Sequence, residues 1–501
     1  MGSEKLRAEF LRFLAVVGTT AVLVWFGNGL TPWWPLMWIA PFPVLWYSLH
    51  SSGRLTACAG FLGWLFGSVN MVPLYEAQGM RFLNWLGDFG GLAIVFVAGA
   101  LLFRMLVLGG AVWSGTAALP ALWVSVDWLR YWLTPHGTSA DLAYTQLRFL
   151  PFLQLASLTG PWGMSFLLLW VPAGAAAFFF FRRRKWRCAR RVAWLVSGVL
   201  LAVLAFGTVR LLTTGQRKTM TVGLIASDAA GKAEVASAGT DATSLLAAYA
   251  EQAKILAQHG ATIIVMPEKI AAVRDRDQAT DDAIFQYTAD AAQVTIVAGE
   301  LHLSPAKDRI RKYNRAEAYA PRATVASYDK EHMLPPFESQ LTCGTEKLSL
   351  KWKNTILGVA ICKDMDFTSM SRGYGQMGVG LMLVPAWDFN LDRTWHGHMA
   401  IMRGVEGGFS MARAARDGYL TVSDDRGRVL AETRSNSGTF ATLLAQVPVG
   451  HEQTLFQAWG NWFAWFAVVV LGIVLTRAGF LFVRRPAIRS ALIRARRKRS
   501  R

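Results

Sequence analysis

The chain has 501 residues, of which 53% are hydrophobic and only 17% charged, with 21 Trp, 29 Phe and a mean hydropathy of +0.29. A soluble globular chain carries about 25% charge, so a string of ordinary soluble domains is excluded, as are disorder, collagen and coiled coil; four Cys are too few for a disulfide scaffold. The net charge of +19 is concentrated: the N-terminus contributes one, residues 182–191 hold seven Arg and Lys without an acid, and residues 484–501 hold nine without an acid. All three segments flank apolar runs, the positive-inside signature of a membrane protein. No aromatic-interleaved basic module accompanies them, which argues against nucleic acid as a partner.

About 20 apolar residues cross a bilayer as a helix. Stretches of that character lie near 10–29, 34–50, 55–75, 89–108, 111–133, 161–181, 192–213 and 459–483, predicting about eight transmembrane helices. Pro41 and Pro43 interrupt the second, and Asp127 and Arg130 fall near the end of the fifth. The first lacks a small-x-small cleavage site and further spans follow, so it reads as a span and not as a cleaved signal. Alternation of eight spans puts Arg54, Arg104 and both basic runs on one side. That side is predicted to be cytoplasmic, with both termini there. Residues 216–458 then lie outside the cytoplasmic membrane. The predicted organisation is a membrane domain over 1–215, an extracytoplasmic domain over 216–458, the eighth helix over 459–483 and a basic cytoplasmic tail over 484–501.

Residues 216–458 have a different texture. Short apolar runs occur at Met220–Ile225, Thr262–Met266, Val294–Ala298, Ile356–Ile361 and Gly380–Val384. Helical stretches such as Ser244–Gln258 and His398–Arg416 lie between or after them. Short apolar runs alternating with helices predict an α/β sheet covered on its faces.

Three ionisable residues stand where predicted strands emerge. Glu268 follows Pro267 after the Thr262–Met266 run, Lys330 follows Ser327-Tyr328-Asp329, and Cys362 ends the Ile356–Ile361 run. Open α/β sheets place their sites at such strand ends. A thiol is nucleophilic only as the thiolate. A carboxylate can take its proton, and an ammonium can favour the thiolate and then an oxyanion. Glu, Lys and Cys thus form a complete acyl-transfer set. No His, Cys and Asp cluster has metal spacing, and no cofactor is expected. A Cys343–Cys362 disulfide would silence the nucleophile, so Cys343 is expected to be free; Cys58 in a span and Cys188 in the cytoplasm suggest no disulfide either.

Three stretches resemble the carbon–nitrogen hydrolase (nitrilase) superfamily in the right order: Ile263-Ile264-Val265-Met266-Pro267-Glu268, Tyr328-Asp329-Lys330-Glu331-His332-Met333-Leu334-Pro335 and Gly358-Val359-Ala360-Ile361-Cys362. Taken with the predicted spans, nearly the whole chain resembles the apolipoprotein N-acyltransferase family. Pro151-Phe152-Leu153-Gln154-Leu155-Ala156 and Thr159-Gly160-Pro161-Trp162-Gly163-Met164-Ser165-Phe166 are similar to that family's entry into its sixth span. Trp387, His398-Met399-Ala400, Arg403, Glu406, Arg413 and Gly418 resemble its helix and strand after the nucleophile.

The resemblance implies an αββα sandwich with Glu268 as base, Lys330 as charge stabiliser, Cys362 as nucleophile and Glu338 as an additional carboxylate. It implies substrate contacts at Asp364, Trp387 and His398. It also implies a phospholipid acyl donor, a diacylglyceryl-lipoprotein acceptor and a thioester on Cys362. A membrane-tethered amidase-like hydrolase, an acyltransferase with a different acceptor, and a non-catalytic scaffold are the alternatives. The chain departs from the family in three places. Lys363 and Asp364 stand where it has Tyr and Glu, Ala226-Ser227-Asp228-Ala229 where it has Gln-Gly-Asn, and Pro135-His136-Gly137-Thr138 where it has Gly-Phe-Pro-Trp.

Overall fold

The structure is a computed structural model. It describes the chain except residues 1, 140, 183–186, 214–216, 229–234, 307–308, 393 and 500–501, and gives only the helical backbone of 2–3 and 484–499. Part of the 182–191 basic run, the side chains of the basic tail and Ala229 therefore lie outside the described residues.

The membrane half consists of helices α1 (Gly2–Gly27), α2 (Trp34–Met37), α3 (Phe42–Ser48), α4 (Gly53–Ser68), α5 (Val72–Ala77), α6 (Phe82–Leu108), α7 (Val112–Leu133), α8 (Leu150–Leu153), α9 (Ala156–Thr159), α10 (Pro161–Phe181) and α11 (Arg187–Leu212). Among the described residues, six helical segments are long and apolar enough to cross a membrane: Glu4–Gly27, Gly53–Ala77, Phe82–Leu108, Pro161–Phe181, Arg187–Leu212 and Trp462–Val483. Two expected spans differ. The 34–50 stretch is not one helix but α2 and α3, because proline has no N–H to donate and its ring clashes with the carbonyl one turn back. Their 4 and 7 residues rise only about 17 Å, short of a hydrocarbon core of about 30 Å. Helix α7 has the length, at 22 residues, but not the apolarity. Its end carries Asp127 and Arg130, and Arg130 is paired with Asp88 of α6 at 2.8 Å.

The second half is built on two sheets. The first has the order β13-β1-β2-β4-β5-β6, with β3 also on β4; the second has the order β12-β11-β10-β9-β8-β7. The strands are β1 (Thr219–Ala226), β2 (Ile263–Val265), β3 (Ala271–Arg274), β4 (Thr295–Pro305), β5 (Ile310–Tyr319), β6 (Ala326–Asp329), β7 (Leu348–Trp352), β8 (Thr355–Val359), β9 (Leu381–Trp387), β10 (Ser410–Arg416), β11 (Tyr419–Ser423), β12 (Val429–Arg434) and β13 (Ala441–Pro448). Strands β1, β2 and β4 run parallel, as do β8, β9 and β10.

These central strands are buried on both faces, which is why they read as unbroken apolar runs. Alternation still sorts their side chains. Val222, Leu224, Ile263, Val265 and Val297 face Leu357, Val359, Leu383 and Ala412 of the second sheet. Ile225, Ile264 and Ile296 face the outer helices α12 (Thr240–Gln258) and α13 (Asp275–Ala292). Helices α14 (Thr368–Gln376) and α15 (Trp395–Gly407) cover the second sheet through Met370, Tyr374, Ala400 and Ile401. The chain then passes through α16 (Leu455–Trp459) into α17 (Trp462–Arg499).

One further expectation changes. The helix predicted over His398–Arg416 stops at Gly407, where Gly408 takes the left-handed conformation at φ +70° and ends it. Arg413 therefore lies on the fully buried strand β10. The two halves share one core: the apolar filling between the sheets continues into Trp128, Tyr131, Trp162 and Phe166 of the membrane helices.

Candidate active site

Four strands deliver the polar groups to one place. Strand β2 ends three residues before Glu268, β6 ends just before Lys330, β8 ends three residues before Cys362, and β9 ends at Trp387. Glu268 and Lys330 are each 1% exposed. Lys330 Nζ donates to Glu268 Oε1 at 2.9 Å and to Glu338 Oε2 at 2.8 Å. Glu338 is buried as well, and Lys269 Nζ donates to its Oε1 at 2.6 Å. The amide nitrogen of Asn314, fully buried on β5, donates to both Glu268 Oε1 and Glu338 Oε1. Two carboxylates, two ammonium groups and one amide thus form a closed network. Glu268 Oε2 is buried without a hydrogen-bond partner among the described residues.

The backbone fits this packing closely. A Cβ at Gly299 would lie 2.5 Å from the Pro267 carbonyl oxygen and 2.7 Å from Glu268 Cα, so glycine alone lets β4 pass beneath the glutamate. Glu268 N–H donates to the Ala386 carbonyl of β9 at 3.3 Å, joining the two sheets at the site.

Cys362 opens a 3-10 turn, Cys362–Asp366, and holds φ at +44°. A non-glycine residue pays strain for that conformation and keeps it only where its surroundings impose it. Asp364 supplies the constraint. Its Oδ2 accepts from Ile361 N–H (3.0 Å) and Tyr328 OH (2.8 Å), and its Oδ1 from His332 N–H (2.8 Å). The Cys362 thiol lies 3.5 Å from the Trp387 carbonyl oxygen, to which it donates.

The charges around these groups are strongly coupled. Burial pushes the Cys362 thiol well above the ordinary thiol range and the Glu268 charge adds to this, against the pull of Lys330 and Arg413. Burial alone would lower Lys330, but Glu268 and Glu338 outweigh it and hold the ammonium charged. Burial would raise Glu338, but Lys330 and Lys269 hold it well below the carboxylate range. The resting nucleophile is therefore a neutral thiol beside an ion cluster, and it needs a base to become reactive.

Of the sequence-predicted residues, Lys330 bonds both Glu268 and Glu338, and Cys362 with Trp387 lines a pocket beside them. The Trp387 ring carries two cations over it, Arg416 at 4.5 Å from its centroid and Lys269 at 5.4 Å. Asp364 is 0% exposed beneath the turn and its bonds all go to the protein. His398 bonds Glu432 and lines a separate small cavity with Tyr144 and Trp395. The histidine that reaches the Cys362 pocket is His396, with Asp366, Asp388 and Arg413.

Asp388, Asp392 and His396 bring ligand atoms within 4.8 Å of one another. Arg413 binds both oxygens of Asp388, and Asp392 bonds His396 Nδ1. Asp388 is thus fully taken up by Arg413, whereas Asp392 Oδ1 is buried without a hydrogen-bond partner among the described residues. All four cysteines are free.

Comparison with known proteins agrees with this architecture. A family model described as the apolipoprotein N-acyltransferase N-terminal domain matches residues 20–174, and the carbon–nitrogen hydrolase model matches residues 230–454. The second half is accordingly a carbon–nitrogen hydrolase domain, carried on membrane helices. With both domains in this order, the chain is similar to apolipoprotein N-acyltransferases over most of its length. An apolipoprotein N-acyltransferase from Geobacter metallireducens is 26% identical over 487 residues, covering 89% of this chain and 91% of the relative. One from Pasteurella multocida is 25% identical over 408 residues, covering 74% and 76%. Among solved structures, an amidase from Nesterenkonia sp. aligns at 19% identity and a TM-score of 0.40, over 49% of this chain and 95% of the amidase.

Proposed function

We propose that the protein transfers a fatty acyl chain from a phospholipid, through a thioester on Cys362, to the N-terminal α-amine of diacylglyceryl-Cys apolipoproteins. The observation that carries this reading is the ion cluster of Glu268, Lys330 and Glu338 beside a thiol on a strained turn. The names of the relatives, matched over most of the chain, support the acceptor.

In the first half-reaction Glu268 takes the Cys362 proton through its unpaired Oε2, and the sulfur attacks the ester carbonyl carbon. Lys330 lies where it can stabilise the oxyanion. The C–O bond breaks, Glu268 returns the proton to the leaving lysophospholipid oxygen, and the acyl group stays on sulfur. In the second half-reaction the neutral α-amine attacks the thioester and loses a proton to Glu268. The C–S bond then breaks and the thiol is restored. Glu338, with Asn314 and Lys269, holds the orientation of Glu268 and Lys330. We further place residues 216–458 on the periplasmic side of a bacterial inner membrane, with both termini cytoplasmic, from the distribution of Lys and Arg.

Hydrolysis is the competing outcome, with water replacing the amine. The test is mass spectrometry of lipoprotein N-termini in a strain depleted of its own acyltransferase and complemented with this chain. N-acylated termini are expected; free α-amines with released fatty acid would mean hydrolysis.

A further inference from the structure

Two cavities meet at the Cys362 turn. The smaller, about 20 Å3, holds Cys362, Trp387 and Arg413 in its wall. The larger, about 340 Å3, runs into the membrane half past Trp64, Tyr75 and Arg130. Leu334, Lys363, Asp366 and His396 line both and so form the neck between them.

Two of the neck residues are basic. Lys363 is 6% exposed, and its Nζ lies 3.2 Å from Asp366 Oδ2. An ammonium has three N–H donors, of which this contact uses one. His396 bonds Asp392 through Nδ1, which leaves Nε2 at the opposite edge of the ring. Burial would lower His396, but the Asp392 carboxylate outweighs it and raises it to about 9, so the ring is an imidazolium at neutral pH. A buried Lys–Asp pair adds little stability over a packed apolar pair, and these two cations border open volume on both sides.

An acyl ester whose carbonyl carbon rests at Cys362 must pass the rest of its molecule through this neck. In a glycerophospholipid the phosphate follows the ester after only a glycerol backbone. We propose that Lys363 and His396 form a phosphate-binding neck, which grips the phosphodiester of a glycerophospholipid donor while its ester lies at Cys362. Lys363 stands at one of the positions where this chain departs from the family it resembles, so the neck also sets donor choice. The proposal rests on the acyltransferase reading.

The test uses the full chain in detergent micelles and follows acylation of Cys362 by mass spectrometry. One donor is dioleoyl phosphatidylglycerol and the other is p-nitrophenyl palmitate, an ester without phosphate. A charge-assisted hydrogen bond implies that Lys363→Met and His396→Asn each lower selectivity for the phospholipid over the nitrophenyl ester by about tenfold or more, mostly through KM. Lys363→Arg should restore most of it. Lys363→Met leaves Asp366 unpaired, so Lys363→Met with Asp366→Asn is made alongside; the same loss of selectivity is expected from a pair that keeps the neck neutral. Inorganic phosphate should compete with the phospholipid in the wild type more strongly than in Lys363→Met. Equal losses on both donors, or unchanged phospholipid kinetics even with phosphate competition, overturn the neck and leave the acyltransferase reading standing. If the wild type takes no acyl group on Cys362 from either donor, the acyltransferase reading fails and the neck with it.

Discussion

Thr138 donates both its backbone N–H, at 3.1 Å, and its hydroxyl, at 2.8 Å, to the carbonyl oxygen of Asp366, four residues after Cys362. A loop of the membrane half thereby holds the far end of the turn that carries the nucleophile. The same docking recurs nearby: Arg403 and Glu406 on α15 form a fully buried ion pair at 2.8 Å, and Arg403 donates to Tyr144 OH of the membrane half at 3.1 Å. Membrane helices in this protein are part of the scaffold of the site as well as its anchor.

Gly137 is the point where that contact is most easily broken. It holds φ at +56°, and a Cβ there would sit 2.6 Å from the same Asp366 oxygen. Gly137→Ala should displace the turn, and a misplacement of about 1 Å at a reacting group can cost ~10²-fold in rate. The expected result is a comparable fall in turnover with the circular dichroism spectrum retained. Wild-type turnover would show that the loop does not control the turn.

The carboxylate network makes a second prediction. Glu338→Gln removes one of the two negative charges that hold Lys330 and Lys269. Turnover should fall by at least ~10²-fold, in the range of a lost acid–base partner. Asn314→Leu should act in the same direction, because it takes a donor from Glu268 and from Glu338 at once. Single-turnover acylation of Cys362 reads both variants, and near-normal rates would reduce the network to a packing role.

Much of this architecture was legible in the sequence. The apolar runs at Met220–Ile225 and Thr262–Met266 became β1 and β2 because strands buried on both faces leave an uninterrupted apolar record. Glu268 and Cys362 were visible because each is polar at the end of such a run, whereas Lys330 follows the polar Ser327-Tyr328-Asp329 and stood out by its resemblance to the family's stretch. Asn314 was not, since one Asn within β5 carries no local sign that it will meet Glu268 and Glu338 across the sheet. His396 was passed over for its neighbour His398; two positions apart on a helix they diverge, and only packing chose which one entered the pocket. The broken stretch over 34–50 shows the limit of counting apolar residues, because Pro41 and Pro43 divide the helix without adding a charge.

Protonation of His396 couples folding to pH. Its folded value, raised to about 9 by Asp392 against the cost of burial, exceeds the ordinary value of about 6.5. The bound proton therefore stabilises the fold fully below about pH 6.5, and this contribution is lost as pH rises toward about 9. The thermal midpoint of the wild type should decline across that window, and His396→Asn should flatten the decline. An equal slope in both proteins would assign the pH response to other groups.

Orientation is tested by reporter fusions at Gln216 and after Arg485. The distribution of Lys and Arg predicts opposite sides of the membrane, with Gln216 outside. The same side at both positions would require a different number of crossings between them.

The measurement that bears most directly on the central claim is the site of acylation. Purified protein incubated with phospholipid and no acceptor should acquire one hydroxylamine-sensitive fatty acyl group, on Cys362. Glu268→Gln should slow its formation because the neutral thiol loses its base, and Lys330→Ala because the oxyanion loses its cation. Cys362→Ala should abolish it, whereas Cys343→Ala, altering an exposed thiol, should change little. An acyl group found on another residue, or acyl transfer that persists in Cys362→Ala, would contradict the account.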